Sequence, residues 1–302
     1  MATATTSTAA TTAGPPVRKP AGVASRITGA LSRTSLQIIL AVIAIAWMVP
    51  VFGLLIASLR TASDNSASGW WNAITHWHQL TFSSYSKLLQ NDTIQHSIAN
   101  TFFITIPTTV LVVFIAAMAG YAFAWVRFPG RDVIFLVVVC LLVVPLQMAL
   151  IPVARLFDAV NLFGKIPGVV LFHVAFGLPF AIFLLRNFFA GIPGELMEAA
   201  RLDGASELTI FFRVVLPLGL PAIASLAIFQ FLWVWNDLLV ALVFAGPESA
   251  PLTVAIQQQT RQFGSNIDVI APGAFLTMIV PLIVFFGFQR YFVQGLLAGS
   301  TK

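Results

Sequence analysis

Charged residues are scarce in this chain, and its broad class follows from that scarcity. Only 9% of its 302 residues are charged, whereas 58% are hydrophobic, and the mean hydropathy is +0.91. Because soluble domains carry roughly 25% charged residues, this composition excludes an ordinary soluble protein and predicts an all-α protein embedded in a membrane. The chain also has a single cysteine, Cys140, which excludes an intrachain disulfide framework.

Sequence signatures of chemistry are missing as well. The chain contains no G-x-x-x-x-G-K-[ST] stretch, so nothing in it is expected to cradle nucleotide phosphates, and we expect no cofactor. His76 and His78 have no carboxylate or thiol beside them, and we expect no metal site. His173 lies in an apolar run without a second titratable group at usable spacing. We therefore expect no catalytic residue and no enzyme.

Six apolar runs are long enough to cross a membrane as helices. They cover residues 36–59, 98–126, 133–152, 168–188, 216–244 and 269–291. Each run contains a proline, at Pro50, Pro107, Pro145, Pro179, Pro221 and Pro281. Because neighbouring helices can satisfy the freed carbonyl groups, we expect these prolines to bend the helices without breaking them. Packing kinks are favoured over bends that open a pathway.

The basic residues indicate the orientation. If the N-terminus is cytoplasmic, eleven of the 16 Lys and Arg residues lie inside and five outside, as the positive-inside rule requires. We therefore expect both termini in the cytoplasm of a prokaryotic cell with the chain crossing its plasma membrane. The net charge of +5 accordingly indicates membrane topology and contact with lipid, with no nucleic acid as partner.

The first 33 residues differ from the rest. They are rich in Ala, Thr, Ser and Pro and contain several bases, so residues 1–33 are predicted to be a disordered basic tail, and residues 34–302 a six-helix transmembrane domain. A signal peptide is the alternative, but the first apolar run exceeds the roughly 7–15 residues of a signal core. We expect that run to remain as a span.

The outer segment of residues 60–97 contains three tryptophans, Trp70, Trp71 and Trp77. Tryptophan favours the boundary between membrane and water. An amphipathic segment lying at that boundary is the favoured interpretation, and contact with an external binding protein is the alternative.

A polar stretch of residues 190–216 interrupts the apolar pattern between the fourth and fifth runs. Pro193 suits the first turn of a helix, Gly204 is a natural stop, and Ser206 can cap a second helix that enters the membrane at Pro217. The first helix is acidic, which suits an anionic lipid surface poorly. The pattern predicts two short helices around a slim glycine turn that contacts another protein. The stretch reads Glu198-Ala199-Ala200-Arg201-Leu202-Asp203-Gly204 and ends in Val214-Val215-Leu216-Pro217.

This spacing resembles the cytoplasmic loop of permease subunits in ATP-binding-cassette importers. The resemblance covers about residues 36–299, although Val214 stands where isoleucine is usual and the C-terminal end is short. Further stretches resemble the maltose-type branch of sugar permeases: Tyr121-Ala122-Phe123-Ala124, Arg127-Phe128-Pro129-Gly130-Arg131, Trp235-Asn236-Asp237, and Gln289-Arg290-Tyr291-Phe292-Val293-Gln294-Gly295-Leu296.

The resemblance implies a type I importer permease fold with six spans and a cytoplasmic coupling helix. It implies a second, homologous permease, a dimer of ATP-binding subunits that alone bind ATP, and an extracytoplasmic solute-binding protein. The solute would be a di- or oligosaccharide, with a polyol or a glycerol phosphate as alternatives. The residues that would couple the chain to the ATPase are Glu198, Ala199, Ala200, Asp203, Gly204, Leu216 and Pro217.

Candidate residues for the solute pathway lie mainly in the fifth run. Gln230, Trp233 and Asp237 share one helical face, and Asn236 and Gln147 are further polar candidates. An ionisable residue such as Asp237 is costly in a membrane and indicates function, but helix packing explains it equally well. An ion-coupled transporter remains the alternative class, and Asp237 is the only carboxylate that qualifies for its ion site.

Overall fold

The computed structural model of the chain describes residues 33–263 and 267–300. The predicted tail, apart from Arg33, lies outside the described residues. The described parts consist of helices and turns with one isolated bridge, between Gly164 and Ala245. The described residues divide into two compact units, with the boundary between Phe52 and Gly53.

Long apolar helices dominate the chain, as the composition predicts. In chain order they include α1 (Arg33–Ser58), α4 (Asp92–Trp125), α7 (Ile166–Phe189), α10 (Leu216–Trp235) and α13 (Ile267–Ser300). The shorter α12 (Leu252–Phe263) precedes α13. Short helices α2 (Ala62–Ala67) and α3 (Ser83–Leu89) follow α1, separated by two 3-10 turns at Trp70–Ile74 and Trp77–Gln79. Each long helix contains at least one proline and continues through it, which confirms the expectation of tolerated prolines in five of the six runs.

The sixth proline, Pro145, behaves differently. The predicted span of residues 133–152 is divided into α5 (Arg131–Leu141) and α6 (Leu146–Ala159), which meet at an angle of 101°. Proline lacks an N–H and disfavours helical geometry in the residue before it, and Pro145 itself adopts an extended conformation. The prediction of one continuous helix here is wrong. The described residues hold five continuous candidate spans, or six if the bent pair is one span.

The predicted run of residues 216–244 is also divided. Helix α10 ends at Trp235, and α11 (Leu239–Phe244) begins after a short break. The side chain of Asp237 accepts hydrogen bonds from the backbone N–H groups of Val240 (3.3 Å) and Ala241 (3.0 Å). Asp237 thus caps α11, because its carboxylate satisfies N–H groups that have no partner inside a helix. The expectation that the helix continues to residue 244 is wrong.

Helices α4 and α7 pack side by side along most of their length and form the centre of the second unit. A β-carbon on Gly120 of α4 would lie 3.0 Å from the backbone nitrogen of Arg186 in α7. The absent side chain lets the two backbones approach. Buried apolar residues from α4, α7 and α10, among them Val112, Leu185 and Leu226, complete this core.

Candidate functional site

The polar stretch between α7 and α10 folds as the sequence predicts. Helix α8 (Gly194–Leu202) is followed by a turn at Gly204, where φ is +78°, and by the short α9 (Glu207–Ile210). The Ser206 hydroxyl accepts the backbone N–H of Thr209 at 3.3 Å and caps α9. A π-helical turn (Phe211–Val215) then leads directly into α10. The two-helix loop and its cap are confirmed; Pro193 precedes α8 as its cap residue and does not occupy its first turn.

The inner face of this coupling loop, residues 190–216, is anchored in the core. Met197 of α8 and Ile210 of α9 are fully buried, as is Val215 in the π-helical turn. These residues join the same apolar cluster as the ends of α4 and α7. Three segments of the loop thus each place a fully buried side chain in the core, and these side chains attach the loop to it.

The residues on the outer face of the coupling loop are exposed. The side chain of Leu202 is 88% exposed, and Glu198, Ala199, Asp203 and Gly204 are exposed around it. A β-carbon on Gly204 would meet no atom within 4 Å, so the positive φ alone requires glycine there. Ala200 and Leu216 are half-buried, and Pro217 is exposed at the start of α10.

A hydrogen-bonded cluster ties the coupling loop to the end of α4. The Arg201 side chain donates from Nε to Glu207 Oε1 (2.9 Å) and from Nη2 to Glu207 Oε2 (3.3 Å). The Tyr121 hydroxyl of α4 donates to the same Glu207 carboxylate. This bonding to Glu207 raises the pKa of Arg201 above its usual range, so the guanidinium stays charged at physiological pH.

Two further bonds in this region satisfy helix ends. Arg201 Nη2 donates to the carbonyl of Trp125, the last residue of α4, at 3.1 Å. The indole Nε1 of Trp125 donates to the carbonyl of Phe189, the last residue of α7, at 2.8 Å. The last carbonyl groups of a helix have no intrahelical partner. Sequence reasoning did not assign a role to Tyr121, Trp125 or Glu207, although donor-bearing aromatic residues in the last turn of an apolar run were a usable signal.

The residues predicted to line the solute pathway include both exposed and buried side chains. Trp233, Asn236 and Gln147 are exposed, whereas Gln230 is buried against Gly177 of α7. Asn236 donates to the carbonyl of Leu232 in its own helix (2.8 Å). Gln147 belongs to another element, the first turn of α6.

Gln230, Trp233 and Asp237 share a seam between α10 and α7, and the structure adds His173 of α7 to it. The His173 ring lies edge-on to Trp233, with centroids 5.3 Å apart. His173 Nε2 lies 3.5 Å from Asp237 Oδ2, and His173 is only 1% exposed. No titratable group stands at usable spacing from His173 in the sequence, and the structure brings Asp237 beside it from a distant segment. The two residues are distant in sequence, and only the packing of α7 on α10 brings them together.

Comparisons with known proteins agree with this architecture. Residues 100–297 match the family described as "Binding-protein-dependent transport system inner membrane component". The chain is 48% identical over 272 residues to the osmoprotective compounds uptake permease protein GgtD of Synechocystis sp., across 88% of this chain and 91% of that protein. It is 50% identical over 231 residues to the alpha-glucoside transport system permease protein AglG of Rhizobium meliloti, across 74% of this chain and 61% of that protein.

A solved structure shares the fold. It is the crystal structure of a bacterial ABC transporter involved in the import of the acidic polysaccharide alginate. The TM-score is 0.72 at 22% sequence identity, and the alignment covers 91% of this chain and 100% of the solved one. The resemblance in fold therefore extends over nearly the whole chain.

Proposed function

The chain belongs to the family of binding-protein-dependent transport system inner membrane components, and from that premise we propose that it forms half of the translocation pathway of an ATP-driven carbohydrate importer. In this proposal the coupling loop docks on a separate ATP-binding subunit, and a second, homologous permease supplies the other half of the pathway. An extracytoplasmic binding protein delivers the solute. The observation that carries the proposal is a loop whose inner side chains are buried in the core while its outer face is exposed.

The coupling loop has the features that a docking element needs. Leu202 is nearly fully exposed, and burial of a leucine side chain contributes about 1.5–3 kcal/mol. The carboxylates of Glu198 and Asp203 flank it and are exposed, so they are available to basic groups of a partner. Ala199 and Gly204 keep the surface low, which lets a partner backbone approach closely.

A separate ATPase is required because the sequence lacks a phosphate-binding loop. The coupling loop is connected directly to α7 and α10. Movement of a docked ATPase would therefore be transmitted to two membrane helices at once. The positive-inside rule supports a cytoplasmic position for the loop and for both termini.

A neutral, hydroxyl-rich solute fits the polar groups that are available. The exposed candidates are an indole, Trp233, and two amides, Asn236 and Gln147, which suit the faces and hydroxyl groups of a sugar. The alpha-glucoside named for one relative favours a di- or oligosaccharide. The osmoprotective compounds named for another leave a polyol or a glycerol phosphate as the alternatives. Asp237, the one candidate for a coupling ion, already accepts two backbone N–H groups and faces His173.

The docking proposal is tested by co-purification. A tagged chain is expressed with its partner subunits, and the amount of ATPase retained in detergent is measured. We expect Leu202→Asp to lose the ATPase, whereas Leu80→Asp in the outer segment keeps it. Full retention by Leu202→Asp, or placement of Ala199 outside the cell by protease access, would contradict the proposal. Uptake that runs on an ion gradient without ATP would favour the ion-coupled class.

The solute class is tested separately. The cognate binding protein is screened for retention of radiolabelled maltose, trehalose, sucrose and glycerol 3-phosphate. We expect one of the disaccharides to be retained, and exclusive retention of glycerol 3-phosphate would contradict the carbohydrate assignment.

A further inference from the structure

Four residues join the coupling loop to the ends of α4 and α7, although the chain itself connects the loop to α7 and not to α4. Arg201 of α8 holds Glu207 of α9 across the Gly204 turn. Tyr121 of α4 donates to Glu207. Trp125, at the end of α4, accepts from Arg201 through its carbonyl and donates through its indole to the end of α7. We call Tyr121, Trp125, Arg201 and Glu207 the α4 latch.

Two hydrogen bonds of the latch link the polar tip of the coupling loop to α4. Chain connectivity attaches the coupling loop to α7 and α10 alone. Without a further link, a movement of the loop would reach α4 only through apolar packing. Hydrogen bonds are directional, so they fix an orientation that apolar contacts leave free.

The different burial of the latch residues determines how much it costs to break their hydrogen bonds. Arg201 and Glu207 are partly exposed, with side-chain exposures of 38% and 45%, and such a pair by itself contributes little. The Tyr121 side chain, in contrast, is buried, with 5% exposure. Moving Glu207 away would leave a buried hydroxyl without its acceptor, which is the costly half of breaking a hydrogen bond.

The ends of α4 and α7 depend on the same cluster. The carbonyl of Trp125 is satisfied by Arg201, and that of Phe189 by the Trp125 indole. A cation near a helix C-terminus also interacts favourably with the helix dipole. Displacing the coupling loop away from α4 would break the bond from Arg201 to Trp125 and the bond from Tyr121 to Glu207 together, so these two bonds behave as a unit.

We propose that the α4 latch makes α4 move with the coupling loop, so that the stroke of the ATPase reaches three membrane helices instead of two. This inference rests on the proposed function, because it presupposes an ATPase docked on the loop. Arg201, Glu207, Tyr121 and Trp125 are positioning residues in this proposal: they hold α4 to the loop and contact neither ATP nor solute.

The test measures whether α4 and the coupling loop keep their distance when the ATPase closes. Spin labels are placed on Met118→Cys in α4 and Leu208→Cys in α9, both exposed positions, in a Cys140→Ser background. The complete importer, with its ATPase, is placed in lipid nanodiscs. The distance between the labels is measured without nucleotide and after trapping with ATP and vanadate.

We expect one narrow distance that is the same in both states when the latch is intact. In the double variant Tyr121→Phe with Glu207→Gln, we expect the label distance without nucleotide to equal that of the intact latch. After trapping we expect it to change. The matched control is Glu195→Gln, which neutralises an exposed glutamate in the first turn of α8 and should behave as the unaltered chain.

Three results would overturn the inference. The first is a label distance that changes on trapping although the latch is intact. The second is a double variant that keeps the same label distance after trapping. The third is a double variant whose label distance is broad in both states, since that would indicate a purely structural role. Failure of the ATPase to co-purify with the unaltered chain would be a different outcome, because it would overturn the proposed function together with the inference that rests on it.

Discussion

His173 Nε2 lies 3.5 Å from Asp237 Oδ2 in the seam between α7 and the end of α10. The other ring nitrogen, Nδ1, lies 2.9 Å from the carbonyl of Val169, and because a carbonyl only accepts, Nδ1 carries the hydrogen in this bond. The same Asp237 carboxylate caps α11, and Nε2 is buried beside it without a hydrogen bond among the described residues. This pair joins α7, the end of α10 and the start of α11, at the point where the predicted fifth span is interrupted.

The first prediction concerns the energy of this pair. We expect His173→Ala and Asp237→Asn each to destabilise the protein, and the double variant to lose less than the sum of the two. The coupling free energy should be about 1 kcal/mol or more, as for residues that share one polar network. It is measured as the free energy of unfolding of the four chains in detergent.

In the control cycle, His173→Ala is combined with a substitution of the neighbouring residue, Asn236, and Asp237 is left unchanged. Asn236→Ala removes a side chain whose described bond is to Leu232 of its own helix, so its effect should add to that of His173→Ala. If the effects of His173→Ala and Asp237→Asn also simply add, the two side chains do not interact.

A second prediction concerns the close approach of α4 and α7. Gly120→Ala would place a methyl group 3.0 Å from the backbone nitrogen of Arg186 and 3.1 Å from the Leu185 β-carbon. Overpacking of this kind costs about 1–3 kcal/mol, so we expect a lower melting temperature. Gly287→Ala is the control, because no atom lies within 4 Å of the added carbon. Equal melting of both variants would contradict the close approach.

A third prediction concerns backbone strain at Gly204. Because the surroundings are open and φ is +78°, Gly204→Val should destabilise the isolated chain by about 1–2 kcal/mol through its left-handed conformation. Gly204→Asn should cost less, since asparagine tolerates that conformation. Both are measured by thermal unfolding in detergent. Identical stabilities for the two variants would argue against strain at this turn.

A fourth prediction tests the division of the candidate pathway residues. In a Cys140→Ser background, Asn236→Cys and Trp233→Cys should react with a water-soluble thiol reagent in the assembled importer, because both side chains are exposed in the single chain. Gln230→Cys should react more slowly, since Gln230 is 5% exposed. Faster reaction at Gln230 than at Asn236 and Trp233 would contradict this division.

The coupling loop was the most predictable region. Its cap at Ser206 and its turn at Gly204 follow from side-chain and backbone preferences that act within a few residues, and both are present in the structure. Its position as a docking site stays a prediction, although the exposed Leu202 supports it.

The breaks inside two apolar runs were not predicted. Pro145 lies in the break between α5 and α6, whereas Pro107 and Pro179 lie inside continuous helices. Hydropathy cannot distinguish these cases because all three prolines lie in apolar surroundings. Whether a helix continues past a proline depends on neighbours that satisfy its freed carbonyl groups. At Asp237 the carboxylate competes with the helix by capping a new one.

The amino-acid order alone determined how many segments are apolar enough to enter a membrane, where the polar loop lies and how it turns, because hydrophobicity and capping act over short stretches of chain. The tertiary structure decided which side chains face each other: His173 with Asp237, and Tyr121 with Glu207. These pairs lie far apart in the chain and meet only because α4, α7 and α10 pack together, and no local pattern encodes how helices pack.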